Sequence, residues 1–294
     1  MNPRNYPLWT ALITPMNENG EIDYFSLEKI IRIQERANIG VLLLGSTGEA
    51  LNLNYNERIE ILNFVITMNL QVPLMVGIPG INLDETLKWI DHLEGIPGIH
   101  AYLMVTPLYA KPGAHGQYLW FKSLLDQATR PSMLYNIPSR SGIELNFNAY
   151  QELKDHPNFW ALKEASGKIS NVKKYLELAP NIDLFSGDDG MMPEYARAGA
   201  KGLISVASNV WPLETKKYVE LSLANTLKEE TLWQTSSDSL FITSNPVPIK
   251  SIMFDLKLIN SKNLRAPLSA LDLDNNQSIH QAHKNITSWY KDNT

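Results

Sequence analysis

The sequence predicts an α/β protein, a (β/α)8 barrel followed by a C-terminal helical extension. Three observations predict this fold: eight short apolar runs, amphipathic stretches between them, and the end of the strand pattern near residue 225. An open doubly wound sheet is the structural alternative. It requires a glycine-rich phosphate loop after its first strand, and residues 14–17 read TPMN. We therefore expect a barrel over residues 1–225 and an extension over residues 226–294.

The strand candidates are contiguous apolar runs without strict alternation, which is typical of parallel strands covered on both faces. Glycine or proline stands at the approach to several of them, as at Gly40, Pro131 and Gly202. The eight predicted strands are residues 8–13, 41–44, 73–78, 100–105, 132–136, 159–163, 182–186 and 202–206.

The stretches between the runs have the period of amphipathic helices. Asn54 and Asp84 stand near two predicted helix starts, where their side chains can accept unpaired backbone N–H groups. Residues 227–243, 246–260 and 267–290 predict the helices of the extension. Apolar positions on a common helical face include Ile59, Leu62 and Ile66 in one unit and Leu83, Leu87, Ile90 and Leu93 in the next.

The composition excludes several classes of function. The chain of 294 residues has a net charge of −5 and no basic block, so nucleic acid and anionic membranes are poor candidate partners. Cysteine is absent, which excludes disulfides and thiolate sites and fits a reducing cytoplasm. No apolar run approaches the roughly 20 residues that span a bilayer, and residues 1–7 lack the apolar core of a signal peptide. We expect a cytoplasmic protein.

Lys163 is the most informative residue, because it closes the predicted strand 159–163 after four apolar positions. For a lysine taken alone, the ordinary interpretation is a surface charge at a strand end. The alternative is an amine carried into a dry pocket, where desolvation disfavours the charged form and lowers the pKa. A neutral amine of this kind attacks carbonyl compounds and forms a Schiff base.

Other strand ends carry polar side chains, and in such a barrel these ends face one common site. Hydroxyls, tyrosines and one arginine therefore converge there, with glycines that let the backbone approach a ligand. Each of these residues also has an ordinary structural interpretation: a tyrosine as a core aromatic, a serine or threonine as a turn residue, and the arginine as a surface cation. The strand-end candidates are Thr14, Ser46, Thr47, Tyr109, Tyr135, Arg140, Lys163, Gly187 and Ile204.

Two further patterns resemble metal sites, but we expect no metal. Asp188 and Asp189 follow a predicted strand, where carboxylates more often cap the next helix. His280 and His283 lie at helical spacing in the extension, away from the strand ends, and we expect a solvated helix face there.

Three ordered motifs carry a family resemblance. GSTGE (residues 45–49), YNIPSRSG (135–142) and LKEASG (162–167) resemble the signature blocks of the dihydrodipicolinate synthase and N-acetylneuraminate lyase superfamily. Its members are class I lyases that bind pyruvate as a Schiff base, and the resemblance extends from about residue 7 to at least residue 265. It implies that Lys163 forms an imine with pyruvate, with no other cofactor.

The resemblance also implies roles for the neighbours of Lys163. Tyr135 would relay protons during imine formation, and Ser46 would link it to Tyr109. Because Tyr109 would reach in from a neighbouring subunit, the family implies a homo-oligomer of at least two chains, with a homotetramer expected.

Substrate-binding roles follow in the same way. Thr47 would hold the pyruvate carboxylate, and Arg140 would bind the carboxylate of the incoming aldehyde as a planar bidentate donor. Gly187 would let the backbone approach the substrate. The main-chain oxygen of Ile204 would lie near the lysine.

Arg140 favours the dihydrodipicolinate synthase branch. The reaction implied is condensation of pyruvate with L-aspartate 4-semialdehyde to 4-hydroxy-tetrahydrodipicolinate, in lysine and diaminopimelate biosynthesis. Ser46 is common among the lyases and keeps open a pyruvate-dependent aldolase of a 2-keto-3-deoxy sugar acid or sialic acid. A barrel that binds a small molecule without catalysis is the third hypothesis.

Feedback inhibition by lysine is expected to be weak or absent. In sensitive members of the family the regulatory cleft uses histidine, glutamate and an interface tyrosine. The corresponding positions here are Leu51, Tyr55, Arg58 and Leu108, so a cationic ligand would meet an arginine.

Overall fold

The computed structural model describes residues 1–294 and contains a closed barrel of eight parallel strands in chain order. The first strand closes the barrel by pairing with the eighth. The predicted (β/α)8 TIM barrel is thereby confirmed. The strands are β1 (Leu8–Ala11), β2 (Gly40–Leu43), β3 (Leu74–Ile78), β4 (Ala101–Val105), β5 (Ser132–Asn136), β6 (Phe159–Glu164), β7 (Asp183–Ser186) and β8 (Gly202–Ser205).

Strand β1 is shorter than predicted. The Leu12 N–H still bonds to the Leu42 oxygen at 2.9 Å. The next N–H, that of Ile13, turns to the side-chain oxygen of Asn209 at 3.1 Å, so the chain leaves the sheet there. The two apolar residues beyond Ala11 remain buried although they are outside the strand.

Helices surround the barrel and continue beyond it. Asn54 caps α2 as predicted, accepting the Glu57 N–H while the Glu57 carboxylate accepts the Asn54 N–H. The cap of α3 is Asn82, and Asp84 lies in its first turn. The helices are α1 (Tyr24–Arg36), α2 (Tyr55–Thr67), α3 (Leu83–Glu94), α4 (Ala114–Gln127), α5 (Pro138–Ser141), α6 (Phe147–Leu153), α7 (Ile169–Leu178), α8 (Met192–Ala198), α9 (Pro212–Leu223), α10 (Glu230–Asp238), α11 (Val247–Asp255) and α12 (Gln277–Asp292).

The apolar interior has two parts. A cluster of 65 buried residues fills the space between the strands and the helices. A second cluster of 13 fills the inside of the barrel and includes Trp9, Met133 and Phe185. Because side chains fill the inside of a barrel of this type, ligand sites lie at its end.

The extension packs on α9 through aromatic rings. Trp233 stacks on Tyr218 with ring centroids 4.0 Å apart, and Trp289 meets Trp233 edge-on at 5.1 Å. His280 contacts Asp255, but His283 is half-buried and its ring accepts a hydrogen bond from Trp211, so the expected solvated face holds only in part. None of the helices combines the length and apolar character needed to cross a membrane.

Candidate active site

A cavity of about 560 Å³ opens at the carboxyl ends of the strands. Its wall brings together side chains from the loops after β2 and β4, from β5 and the short helix α5, and from the end of β6. Of the eight residues to which the family resemblance assigns roles, six line it: Ser46, Thr47, Tyr109, Tyr135, Arg140 and Lys163. Six of the strand-end residues named from the sequence therefore lie at one cavity.

Lys163 lies on β6 directly opposite Tyr135 on β5 in the strand register. Its side chain is 5% exposed, and its Nζ lies 4.2 Å from the centroid of the Tyr135 ring. Burial lowers the pKa of Lys163 from an ordinary 10.5 to about 7; Asp189 opposes this shift and Arg140 reinforces it. A substantial fraction of the amine is therefore neutral near physiological pH, as a nucleophile requires.

Tyr135 is 7% exposed at the base of the cavity. Burial raises its pKa to about 12, although the Arg140 guanidinium and the Ser46 hydroxyl favour the phenolate. The phenol therefore carries its proton at neutral pH and can exchange it with a group bound at Lys163.

Gly187 and Ile204 do not line the cavity. Gly187 lies beside the lysine, and Ile204 belongs to the inner core. A Cβ built on Gly187 would come within 2.8 Å of the Lys163 Cε and 2.7 Å of the Ala165 Cβ. Any side chain at this position would displace the lysine. Ile204 lies on β8 with its side chain in the inner cluster.

The two groups predicted to bind carboxylates are joined by a residue that sequence reasoning missed. The Asn245 side-chain amide donates to the Thr47 hydroxyl oxygen at 2.9 Å. The Arg140 guanidinium donates to the Asn245 main-chain oxygen at 3.0 Å. In the sequence Asn245 appears only as half of an Asn-Pro break between two helical stretches, a pattern that indicates a turn.

The loop after β2 is anchored from the same direction. The Lys250 ammonium donates to the Glu49 carboxylate at 2.5 Å, and both side chains are 0% exposed. Glu49 has a positive φ of 53°, and its other carboxylate oxygen accepts the Arg265 N–H at 3.2 Å. The extension therefore holds the loop that carries Ser46 and Thr47.

Tyr109 and Ser46 occupy the open side of the cavity. Tyr109 is 90% exposed and has a positive φ of 67°. Leu51 and Ile81 are also exposed on the cavity wall. The structure thus places Tyr109 at the mouth and leaves its ring without packing from its own chain.

The aspartates after β7 accept hydrogen bonds from neighbouring backbone N–H groups and from a serine hydroxyl. Asp189 is buried and accepts hydrogen bonds from the Ser205 hydroxyl and from the Val206 N–H, the latter at 3.0 Å. The Asp188 carboxylate accepts the Gly190 N–H at 3.2 Å. No group of three or more His, Asp or Glu side chains is placed to hold a metal ion.

The fold and this cavity define a (β/α)8-barrel enzyme. A model of the dihydrodipicolinate synthetase family matches residues 6–286, and the chain belongs to that family. A 4-hydroxy-tetrahydrodipicolinate synthase from Francisella tularensis subsp. novicida is 48% identical over 97% of both chains. Another from Wolbachia pipientis is 46% identical over 96% of both chains.

A comparison with solved structures agrees with this assignment. The chloride-inhibited dihydrodipicolinate synthase from Acinetobacter baumannii complexed with pyruvate matches with a TM-score of 0.90 and 27% identity. The match covers 96% of this chain and 99% of that chain. The family resemblance predicted from the three motifs is confirmed.

Proposed function

We propose that this chain is a lyase that condenses pyruvate with L-aspartate 4-semialdehyde to 4-hydroxy-tetrahydrodipicolinate, for lysine and diaminopimelate synthesis. The observation that carries the proposal is the buried Lys163 amine, held 4.2 Å from the Tyr135 ring in a cavity that also contains Arg140. The names of the relatives support the same reaction.

The lysine performs covalent catalysis in this scheme. The neutral Nζ attacks the keto carbon of pyruvate, and loss of water from the adduct leaves an imine. Loss of a methyl proton converts the imine to an enamine, whose carbon bonds to the aldehyde carbon of the acceptor. The acceptor's amino group then replaces the lysine at the former keto carbon, which closes the ring and frees Nζ.

Proton transfer falls to Tyr135. Its protonated phenol next to Nζ can donate to the departing water and recover a proton later. Ser46 and a Tyr109 supplied by a neighbouring subunit extend this path towards solvent. The 90% exposure of Tyr109 supports such an exchange between subunits.

The carboxylates of the two substrates bind to different side chains. Thr47 binds that of pyruvate, and Arg140 that of the aldehyde, where its guanidinium can form two parallel hydrogen bonds. Gly187 and the Ile204 main chain complete the surroundings of the lysine. Arg140 favours aspartate semialdehyde, whereas the serine at position 46 favours a 2-keto-3-deoxy sugar acid or sialic acid aldolase as the second candidate.

Reduction with borohydride in the presence of pyruvate tests the imine. We expect the intact mass to increase by one reduced pyruvate, and peptide mapping to locate the increase at Lys163. An unmodified protein at saturating pyruvate would reject the proposal. Comparing turnover of aspartate semialdehyde with that of keto-deoxy acids then separates the two candidate reactions.

The rate of imine formation is expected to rise with pH through about 7. Below its pKa the Lys163 amine is protonated and cannot attack a carbonyl carbon, so the rate should fall about ten-fold per unit below pH 7 and level off above pH 8. Single-turnover trapping of pyruvate between pH 5.5 and 9 measures this step alone. A rate still rising at pH 9 would show that the amine keeps its ordinary pKa.

The active assembly in this proposal is a homo-oligomer, at least a dimer and by family precedent a homotetramer. Each cavity needs a Tyr109 from another copy, and the exposed Leu51 and Ile81 beside it supply apolar surface for the contact. Within each chain, the barrel of residues 1–225 and the extension of residues 226–294 act as one catalytic unit. The absence of cysteine supports a place in the cytoplasm.

Lysine is expected to inhibit this enzyme weakly or not at all. The half-buried Arg58 bonds through its Nε to the Leu53 main-chain oxygen at 3.1 Å and would repel a lysine ammonium placed beside Leu51 and Tyr55. Initial rates with millimolar lysine should stay within about two-fold of the uninhibited rate. A pyruvate analogue serves as the positive control for the assay, and strong inhibition by lysine would contradict this expectation.

A further inference from the structure

We propose that Asn245, in the extension, is a positioning residue that directs the hydroxyl proton of Thr47 into the cavity. The inference rests on the proposed function, because the group that receives this proton is the pyruvate carboxylate. It assigns a role to a residue outside the eight strands and their loops.

The hydrogen bond between the two side chains has a defined direction. A threonine hydroxyl has one proton to donate and lone pairs to accept. Since the Asn245 amide nitrogen donates to the Thr47 oxygen at 2.9 Å, the hydroxyl proton cannot point back at that amide nitrogen. Thr47 is buried in the cavity wall, so its proton is left to serve a ligand.

The surroundings of Asn245 support this orientation. The side chain is 6% exposed, and its amide oxygen is buried without a hydrogen-bond partner. Rotating the amide by 180° would let its oxygen accept the Thr47 proton and would place an NH2 group where the structure offers no acceptor. A buried amide with an unused acceptor is unusual for a purely structural side chain.

The main chain of the same residue fixes the other carboxylate-binding group. The Asn245 oxygen accepts from the Arg140 guanidinium at 3.0 Å. One residue therefore sets the spacing between the group that binds pyruvate and the group that binds the aldehyde. Alanine at this position removes only the contact to Thr47, because the main-chain oxygen remains.

Two substitutions test the orientation of the hydroxyl. Asn245→Ala should raise the pyruvate KM about ten-fold, with kcat changed less than about three-fold. Asn245→Asp should raise KM further, because the new carboxylate accepts the Thr47 proton and faces the anionic substrate. A merely structural role predicts the reverse order, since aspartate matches the shape of asparagine better than alanine does.

A double-mutant cycle shows whether Asn245 acts through Thr47. In a Thr47→Val background, Asn245→Ala should change the pyruvate KM by less than about two-fold. The matched control is Asn263→Ala, which removes another contact between the extension and the barrel, the hydrogen bond to the Asn17 main-chain oxygen at 3.0 Å. It should lower the melting temperature without changing KM.

The results separate this inference from the function on which it rests. If the unmodified protein traps no pyruvate with borohydride, the proposed function fails and the inference fails with it. Three results would overturn only the role of Asn245, provided that the unmodified protein traps pyruvate. The pyruvate KM of Asn245→Ala could equal that of the unmodified protein, or exceed that of Asn245→Asp. Asn245→Ala could also raise KM as much in the Thr47→Val background as in the unmodified protein.

Discussion

Replacing Lys163 with arginine is expected to lower activity by about 1,000-fold or more and to abolish borohydride trapping of pyruvate. Arginine is of similar length but stays protonated, so it cannot attack a carbonyl carbon. In the proposed mechanism the reaction then loses its covalent intermediate, not merely a favourable contact. Turnover assays and the intact mass after reduction measure the two effects.

The control for this substitution is Lys168→Arg. Lys168 follows the same strand but is exposed and pairs with Glu144, so its replacement should leave trapping intact. A pyruvate adduct that persists in Lys163→Arg would assign the imine to another lysine and contradict the proposed mechanism.

Replacing Lys250 with methionine is expected to destabilise the protein by about 3–5 kcal/mol, because it leaves the Glu49 carboxylate buried without its cation. For a chain of this size the loss corresponds to a fall of roughly 5–8 °C in melting temperature. Activity should fall as well, since the loop bearing Ser46 and Thr47 loses its anchor. Thermal denaturation and pyruvate KM report the two consequences.

Two comparison variants isolate the contribution of the ion pair to stability. Lys216→Met removes a half-buried lysine that bonds only to the Ala37 main-chain oxygen at 2.9 Å, and should cost far less stability. The double variant Glu49→Gln, Lys250→Met removes both charges and should recover most of the lost stability. A melting temperature of Lys250→Met equal to that of the unmodified protein would show that the pair does not hold the loop.

Much of the fold could be predicted because each barrel unit repeats one local pattern. A strand covered on both faces must be apolar along its whole length, so eight contiguous runs imply eight such strands. Once the strands are known, their carboxyl ends meet at one place, which is why Lys163 and Tyr135 could be assigned to one site. Their direct pairing across β5 and β6 is a matter of register, which periodicity does not determine.

The contribution of the extension could not be predicted from these patterns. Asn245 and Lys250 contact residues 198 and 201 positions earlier in the chain. No local rule connects positions so far apart, and an asparagine before proline looks like an ordinary turn. His283 shows the same limit, because its helical spacing gave no sign that its ring bonds to Trp211.

The contacts of Thr47 and Glu49 with the extension also have a consequence for folding during translation. The last barrel strand ends at Ser205, yet the partners of these two residues arrive with Asn245 and Lys250. Domains form as their residues leave the ribosome, and distant contacts wait for the later partner. A nascent chain can thus complete its eight strands before it can anchor the loop after β2. The anchors of this loop arrive only with the final fifth of the polypeptide.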